Sequence, residues 1–146
     1  MTDTGELPVS CSPKIFIVHD GAVLAFQKSA GDLNFGSLWD LPGGEPEAGE
    51  GEIEALKRSV WEECGLQIAV GAPFAEAEFL HPPKKPQRRV QVEAFLGVPE
   101  SDPANLQPRT EYVSAIKWIT FANLPRTKFI PGLLPLIDAF AAKFID

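Results

Sequence analysis

Residues 43–66 constrain this chain more than any other stretch, because they join a Gly-Gly turn and an acidic loop to an amphipathic segment. They read GGEPEAGEGEIEALKRSVWEECGL. A period of about 3.6 residues predicts a helix over 52–64 that ends before Gly65. One face of this helix is apolar and is expected to pack on a sheet; it comprises Ile53, Leu56, Val60 and Cys64.

A second arc of the same helix carries small residues and carboxylates. Ala55 and Ser59 leave room for a ligand to approach the backbone, and Glu62 and Glu63 lie beside them. Adjacent carboxylates repel each other unless a cation lies between them, and their oxygens suit Mg²⁺ or Mn²⁺. The alternative is a solvated acidic face on which Arg58 and Glu62 form an i,i+4 pair. The Gly-Gly turn and the spacing favour the metal site.

The spacing resembles the signature of the Nudix (MutT-like) hydrolases, Gly-x5-Glu-x7-Arg-Glu-U-x-Glu-Glu-x-Gly-U, in which U is a bulky aliphatic residue. The matching residues are Gly44, Glu50, Arg58, Val60, Glu62, Glu63, Gly65 and Leu66. Ser59 stands where the family has its first helix glutamate. The resemblance implies an α/β/α sandwich around a mixed β-sheet. It also implies divalent-metal-dependent hydrolysis of a diphosphate bond in a nucleoside diphosphate linked to another group.

Local patterns outside this stretch predict the remaining elements. A strand over 14–19, an Asp20-Gly21 turn and a strand over 22–28 form a hairpin. Further strands are predicted over 66–70, 74–80, 89–98 and 115–120, and a closing helix over 132–144. We expect a flexible N-terminal arm over 1–12 and a single domain over 13–146. Periodicity alone gives an α+β arrangement, and the sandwich comes from the resemblance.

Composition narrows the classes of partner and compartment. A net charge of −7 argues against duplex nucleic acid and leaves a small nucleotide as the expected partner, bound through a metal and a few local cations. No apolar run approaches the roughly 18 residues of a membrane span, and no signal peptide is visible, so the protein is expected to be cytoplasmic. Cys11 and Cys64 do not make a disulfide framework. The sequence leaves the oligomeric state open, a homodimer included.

The resemblance implies roles for particular acids. Glu62, Glu63 and the backbone carbonyl of Gly43 are expected to bind Mg²⁺ (or Mn²⁺). In many members the glutamate at the position of Ser59 binds metal or acts as the general base, and a neutral hydroxyl does neither well. Glu111, which precedes a predicted strand, is therefore our candidate for a further metal ligand and for the base, although a plain surface glutamate is the alternative. The reserve candidates for the base are Glu93 and Glu78.

Basic residues are the candidates for contact with substrate phosphates. Lys28 ends a predicted strand, and the loop over 81–89 holds four of the thirteen Lys and Arg residues, among them Arg88 and Arg89. Either arginine could fork onto phosphate oxygens, or the loop could be a solubilising turn. Arg58 is a further candidate, with structural pairing to Glu50 as its alternative.

Substrate identity is the least determined property. MutT-type enzymes often have a base-reading asparagine just before the proline of the last helix, and Pro135 here follows Gly-Leu-Leu instead. This argues against the same guanine readout and slightly favours ADP-sugar-like or dinucleoside substrates over modified dNTPs. A stacking partner for the base could be Phe35, Phe79 or Phe129. The alternative function is a Nudix-fold binding or regulatory domain with catalysis weakened by Ser59.

Overall fold

The computed structural model describes residues 7–146, in which six strands form one mixed sheet with a helix on each face. The strands are β1 (Val9–His19), β2 (Ala22–Lys28), β3 (Trp39–Asp40), β4 (Ile68–His81), β5 (Arg88–Pro99) and β6 (Val113–Thr120), and the helices are α1 (Glu52–Cys64) and α2 (Leu134–Phe144). The strand order is β3-β2-β1-β5-β4, with β6 paired to β2. The β1–β5 pair is parallel and the other pairs are antiparallel. No helix in the described residues is both long and apolar enough to cross a membrane.

The β1–β2 hairpin is splayed, and this places the Gly-Gly turn inside the sheet. The two strands pair only beside their turn, at Val18–Val23 and His19–Ala22. Further along, β3 pairs with the end of β2, while the backbone N–H of Ile15 in β1 donates to the carbonyl of Pro42 at 3.0 Å. The segment over 39–43 therefore fills the gap between the diverging strands.

Alternate residues of β1 face two separate apolar cores, as expected for a strand covered on both sides. Phe16 stacks on Phe140 of α2, with ring centroids 4.6 Å apart. Ile15 and Ile17 point the other way, into the core that contains Leu56 and the rest of the buried face of α1. This alternation confirms the α/β/α sandwich.

The apolar face of α1 differs from the predicted one at its first member. Leu56, Val60 and Cys64 are buried, but the Ile53 side chain is 47% exposed. Ala55 and Ser59 are buried instead. The helix thus turns its small residues inward, toward the Gly-Gly turn.

Several boundaries differ from the sequence predictions, and the differences at β1 and β4 follow from their pairing with β5. Residues 9–12 belong to β1 and pair with β5, so the predicted arm is wrong for them; residues 1–6 of that arm lie outside the described residues. The two strands predicted over 66–80 are one strand, β4, with register irregularities between Val70 and Ala75. The closing helix starts at Leu134, after a 3₁₀ turn.

Candidate active site

The Gly-Gly turn lies against β1 too closely for any residue with a Cβ. Gly43 has φ 131°, and a Cβ there would run into the carbonyl oxygen of Pro13 and lie 3.1 Å from Leu56 Cδ2. A Cβ on Gly44 would lie 3.4 Å from Ser59 Oγ. The turn is therefore packed between β1 and α1, with Ser59 directly facing it.

A nearly buried ion pair fixes the entry to this turn. Lys14 Nζ lies 3.1 Å from Asp40 Oδ1 and donates to the Leu41 carbonyl at 3.2 Å. The two side chains are only 12% and 16% exposed. An ion pair with so little water around it holds its geometry because breaking it would leave a buried charge unpaired.

Arg58 is committed to the acidic loop that precedes α1. Its Nε and Nη2 donate to the two carboxylate oxygens of Glu50 at 2.8 and 3.0 Å, and Nη1 donates to Glu62 Oε1 at 3.0 Å. Nη2 also donates to the carbonyl of Glu45 at 3.2 Å. Hydrogen bonding to Arg58 keeps the pKa of Glu50 below its usual value. Arg58 therefore pairs with Glu50, which is the structural alternative considered for it, and it does not line the cavity described below.

Glu63 is a half-buried acid whose carboxyl group has no hydrogen bond among its stabilising contacts within residues 7–146. Burial raises its pKa to about 7; Lys14 and Lys28 oppose this shift, and Asp40 and Glu62 add to it. Among the described residues no hydrogen bond contributes to holding the charge on this carboxyl. A half-buried acid in this condition has the character of a cation ligand.

The side chains near Glu63 offer few donors to a divalent ion. Within residues 7–146 no group of three or more His, Cys, Asp or Glu side chains is arranged to hold a metal. The predicted donors are the carboxylates of Glu62 and Glu63 and the carbonyl of Gly43, and one oxygen of Glu62 already accepts a hydrogen bond from Arg58. Ser59 replaces a further acid. Proteins commonly bind Mg²⁺ through one or two carboxylates while the ion keeps several of its waters. These residues fit that mode of binding, and they do not form a site in which the protein supplies every ligand.

A cavity of about 290 Å³ lies on the α2 face of the sheet, and its lining includes Lys14, Lys28 and Asp40, whose charges act on Glu63. Its lining includes the cations Lys14, Lys28 and Arg88, together with His81. Lys28 Nζ is 3.8 Å from Asp32 Oδ2, and Arg88 bonds to Glu45 and to Ser10 Oγ. Asp32, Asp40 and Glu45 also line the cavity, so each of the three Lys and Arg side chains is paired with an acid of the same lining. The ammonium of Lys28 and the fork of Arg88 are nevertheless groups that bind phosphate oxygens.

The other end of the cavity is apolar and aromatic. Phe35 and His81 lie with ring centroids 5.6 Å apart, and Phe79, Ile130 and Leu133 complete the wall. An apolar wall with a few polar groups is the usual lining of a small-molecule site. Two of the predicted stacking candidates, Phe35 and Phe79, therefore line the cavity. The third, Phe129, is 4% exposed and belongs to the core.

The structure separates the two neighbouring arginines that the sequence treats alike. Arg88 lines the cavity, whereas Arg89 lies 3.9 Å from Glu78 on the opposite face of the sheet. Successive residues of a strand point to opposite faces, so only one of the pair can reach the site. The prediction that Arg89 contacts substrate is corrected, because Arg89 does not line the cavity.

The reserve bases are also on that opposite face. Glu93 shares a hydrogen bond with Glu52 at the start of α1, and burial and this contact raise its pKa. Glu78 and Glu93 line one groove, which is acidic because Glu52 and Glu76 line it too. Glu76 lies opposite Glu93 on the adjacent strand. Neither reserve candidate is near the cavity that Lys28 and Arg88 line.

Glu111 lies beside the site without lining the cavity. Its side chain is exposed, and its backbone carbonyl accepts a hydrogen bond from Ser29 Oγ. The backbone N–H of Arg109, two residues earlier, donates to the carbonyl of Glu63 at 2.8 Å. The loop is therefore at the end of α1, and the role of Glu111 stays a prediction.

Sequence reasoning missed the Lys14–Asp40 pair. Lys14 reads as an ordinary polar residue at the start of an apolar strand, and Asp40 as part of the LWDLP segment. Their meeting depends on the splayed hairpin, which no local pattern encodes. The acidic residue three positions before the Gly-Gly pair is the one available signal.

Comparisons with known proteins agree with this geometry. The family model described as NUDIX domain matches residues 14–140. The CTP pyrophosphohydrolase of Escherichia coli (strain K12) is 29% identical over 126 residues, which are 86% of this chain and 87% of that protein.

Solved structures show the same fold over nearly the whole chain. The MutT protein from Methanosarcina mazei Go1 superposes with a TM-score of 0.79 at 20% identity, covering 94% of this chain and 96% of that one. The E. coli ORF135 protein gives 0.74 at 26% identity, covering 99% and 100%. With the family model spanning most of the sequence, the chain belongs to the Nudix hydrolase family.

Proposed function

We propose that this protein hydrolyses a diphosphate bond of a nucleotide with the help of Mg²⁺ or Mn²⁺. The observation that carries the proposal is the position of Glu63, a half-buried acid whose charge is affected by Lys14 and Lys28, two residues that line the cavity together with Arg88. A diphosphate bound there meets a metal-binding acid on one side and cationic side chains on the other. Catalysis of phosphate transfer needs mainly this positioning and charge neutralisation.

Different residues of the chain are assigned to metal binding, phosphate binding and proton transfer. Glu62, Glu63 and the Gly43 carbonyl would hold the ion, which would supply neutralisation of phosphate charge and a lowered pKa for a water bound to it. Lys28 and Arg88 bind the phosphate oxygens. Glu111 accepts the proton of the attacking water as general base, because the neutral hydroxyl of Ser59 is a poor proton acceptor.

The cavity and the relatives narrow the substrate class. A volume of about 290 Å³ is at the lower end of ligand pockets and suits one nucleoside better than two. The full-length relative from E. coli is named a CTP pyrophosphohydrolase. We therefore place nucleoside triphosphates first, ADP-sugar-like compounds second and dinucleoside compounds last, which reverses part of the preference drawn from the sequence.

The test is release of phosphate or pyrophosphate from a panel of nucleoside triphosphates, ADP-sugars and dinucleoside polyphosphates with Mg²⁺ or Mn²⁺. Glu63→Gln is expected to lower kcat by roughly 10²-fold or more, because it removes a carboxylate that would hold the ion that neutralises the reacting phosphate. Glu100→Gln, at an exposed glutamate after β5, is the matched control and should leave kcat unchanged. Full activity of Glu63→Gln would contradict the metal assignment.

One observation favours a second function, nucleotide binding without efficient turnover. Position 59 is buried and faces Gly44, with 6% of its residue exposed. Because it is a serine, it offers no carboxylate to a metal or to a water molecule. A wild-type protein that binds nucleotide in calorimetry but releases no phosphate, together with turnover in Ser59→Glu, would establish this alternative.

A further inference from the structure

The last turn of α1 carries Glu62 and Glu63 but no basic residue of its own. Carboxylates at this end of a helix are unfavourably placed, because the helix dipole is negative there. A cation from elsewhere in the chain would offset the negative charge of the two carboxylates and the negative end of the helix dipole. The described residues supply one from the loop between β5 and β6, namely Arg109.

Arg109 makes three contacts with this turn. Its backbone N–H donates to the Glu63 carbonyl at 2.8 Å, and its Nη1 donates to the Trp61 carbonyl at 3.4 Å. Its guanidinium carbon lies 4.9 Å from the centroid of the Trp61 ring, a cation–π distance. The first contact satisfies the Glu63 carbonyl, and the second adds to the Trp61 carbonyl, which already accepts the N–H of Gly65 at 2.9 Å.

Gly65 shows how closely the guanidinium fits the helix end. This residue ends α1 in the left-handed conformation, with φ 75°. A Cβ at this position would lie 2.5 Å from Arg109 Cζ. The helix ends in a glycine because of this left-handed conformation, and the guanidinium packs closely against that glycine.

The same loop is held from its other side by the end of β2. Ser29 donates from Oγ to the Glu111 carbonyl, and its N–H donates to the Tyr112 carbonyl at 3.0 Å. Ser29 directly follows Lys28, which lines the cavity. The loop thus bridges the helix end that carries the two acids and the strand end that carries the phosphate-facing lysine.

We infer that Arg109 is a positioning residue that locks the Glu111 loop onto the last turn of α1. It touches neither substrate nor metal, and acts by fixing the distance between Glu111 and the pair Glu62–Glu63. The catalytic part of this inference rests on the proposed function, whereas the locking itself does not.

The kinetic test compares Arg109→Ala with wild type. We expect kcat to fall roughly tenfold to a hundredfold, as for small displacements of a catalytic group, and KM to change by less than about threefold because the cavity is intact. Arg109→Lys should recover only part of kcat, since lysine keeps the charge without the planar fork. Guanidinium ion at low concentration should partly restore kcat in Arg109→Ala, which a general loss of folding would not allow. Arg126→Ala, at an exposed arginine after β6, is the control and should behave as wild type.

Hydrogen exchange tests the locking without using activity. In Arg109→Ala, amides over 61–65 and 109–112 should exchange at least about tenfold faster, while the strands keep wild-type rates. Unchanged exchange in both segments would overturn the inference, as would a kcat loss that matches the unfolded fraction and resists guanidinium. If wild type hydrolyses no compound of the panel, the proposed function fails, and the exchange experiment still decides whether Arg109 locks the loop.

Discussion

At the scale of single residues, Ser59 is where this chain departs from its family pattern. Its side chain is buried and faces Gly44 at the closest approach of helix and turn. It precedes Glu63 by one helical turn, so the two side chains share a face. A carboxylate at position 59 would therefore stand beside Glu63, where it could add a metal ligand or repel a neighbouring charge.

Ser59→Glu is expected to lower the free energy of unfolding by roughly 1–3 kcal/mol without metal, because it buries a second acid beside Glu63. Mn²⁺ should recover this loss, since an ion that binds only the folded state stabilises it. Thermal unfolding with and without Mn²⁺ measures both effects. Ser59→Gln, equal in size and uncharged, should lose similar stability and gain nothing from Mn²⁺ beyond the wild-type response. Equal recovery in the two variants would show that position 59 is remote from the ion.

At the scale of elements, the loop between the Gly-Gly turn and α1 owes its shape to one arginine. Arg58 binds both oxygens of Glu50 and the backbone of Glu45, and the Glu50 side chain also accepts the N–H of Glu47. The loop is too short and too polar to have a core of its own. Its order therefore depends on charge, and so on pH.

Glu50→Gln should destabilise the protein at neutral pH and make no difference in strong acid. The folded protein holds the pKa of Glu50 below the unfolded value, so this carboxylate contributes stability above the unfolded pKa. That contribution is lost as the pH falls through the lowered, folded-state pKa. Urea unfolding of both proteins at a series of pH values should show two curves that converge toward low pH. Glu47→Gln, whose carboxylate is 70% exposed and 3.7 Å from Arg58, should stay near wild type throughout. A gap between Glu50→Gln and wild type that persists in acid would contradict this account.

At the scale of the whole molecule, the sequence predicted what local patterns encode. The helix over 52–64 and the first hairpin follow from periodicity and a turn dipeptide, and the structure confirms them. The residues that line the cavity follow from contacts between distant segments. Arg88 and Arg89 look equivalent in the sequence, but in β5 only Arg88 points toward the cavity, while Arg89 lies near Glu78 on the other face. Lys14 and Asp40 meet only because the hairpin splays.

The start of β1 is the largest of these non-local effects. Proline at position 13 and the polar residues before it read as a strand boundary, and yet residues 9–12 extend the strand because β5 offers them a parallel partner. This extension also reaches the site, since Ser10 Oγ accepts a hydrogen bond from Arg88 at 3.0 Å. The N-terminal segment is therefore tied both to the sheet and to the cavity.

Removing residues 1–12 should cost roughly 2–4 kcal/mol of unfolding free energy, at about 1 kcal/mol for each lost ladder hydrogen bond. It should also raise KM for the substrate, because Arg88 loses the contact with Ser10 that orients it. A variant lacking residues 1–6 keeps Pro8, whose carbonyl accepts the N–H of Arg89 at 2.8 Å, and keeps all of β1, so it is the matched control. Urea unfolding and initial-rate kinetics on both truncated proteins measure the two effects. If the longer deletion matched the shorter one in stability and KM, residues 9–12 would contribute nothing to the sheet or the site, and the arm predicted from the sequence would be the better description.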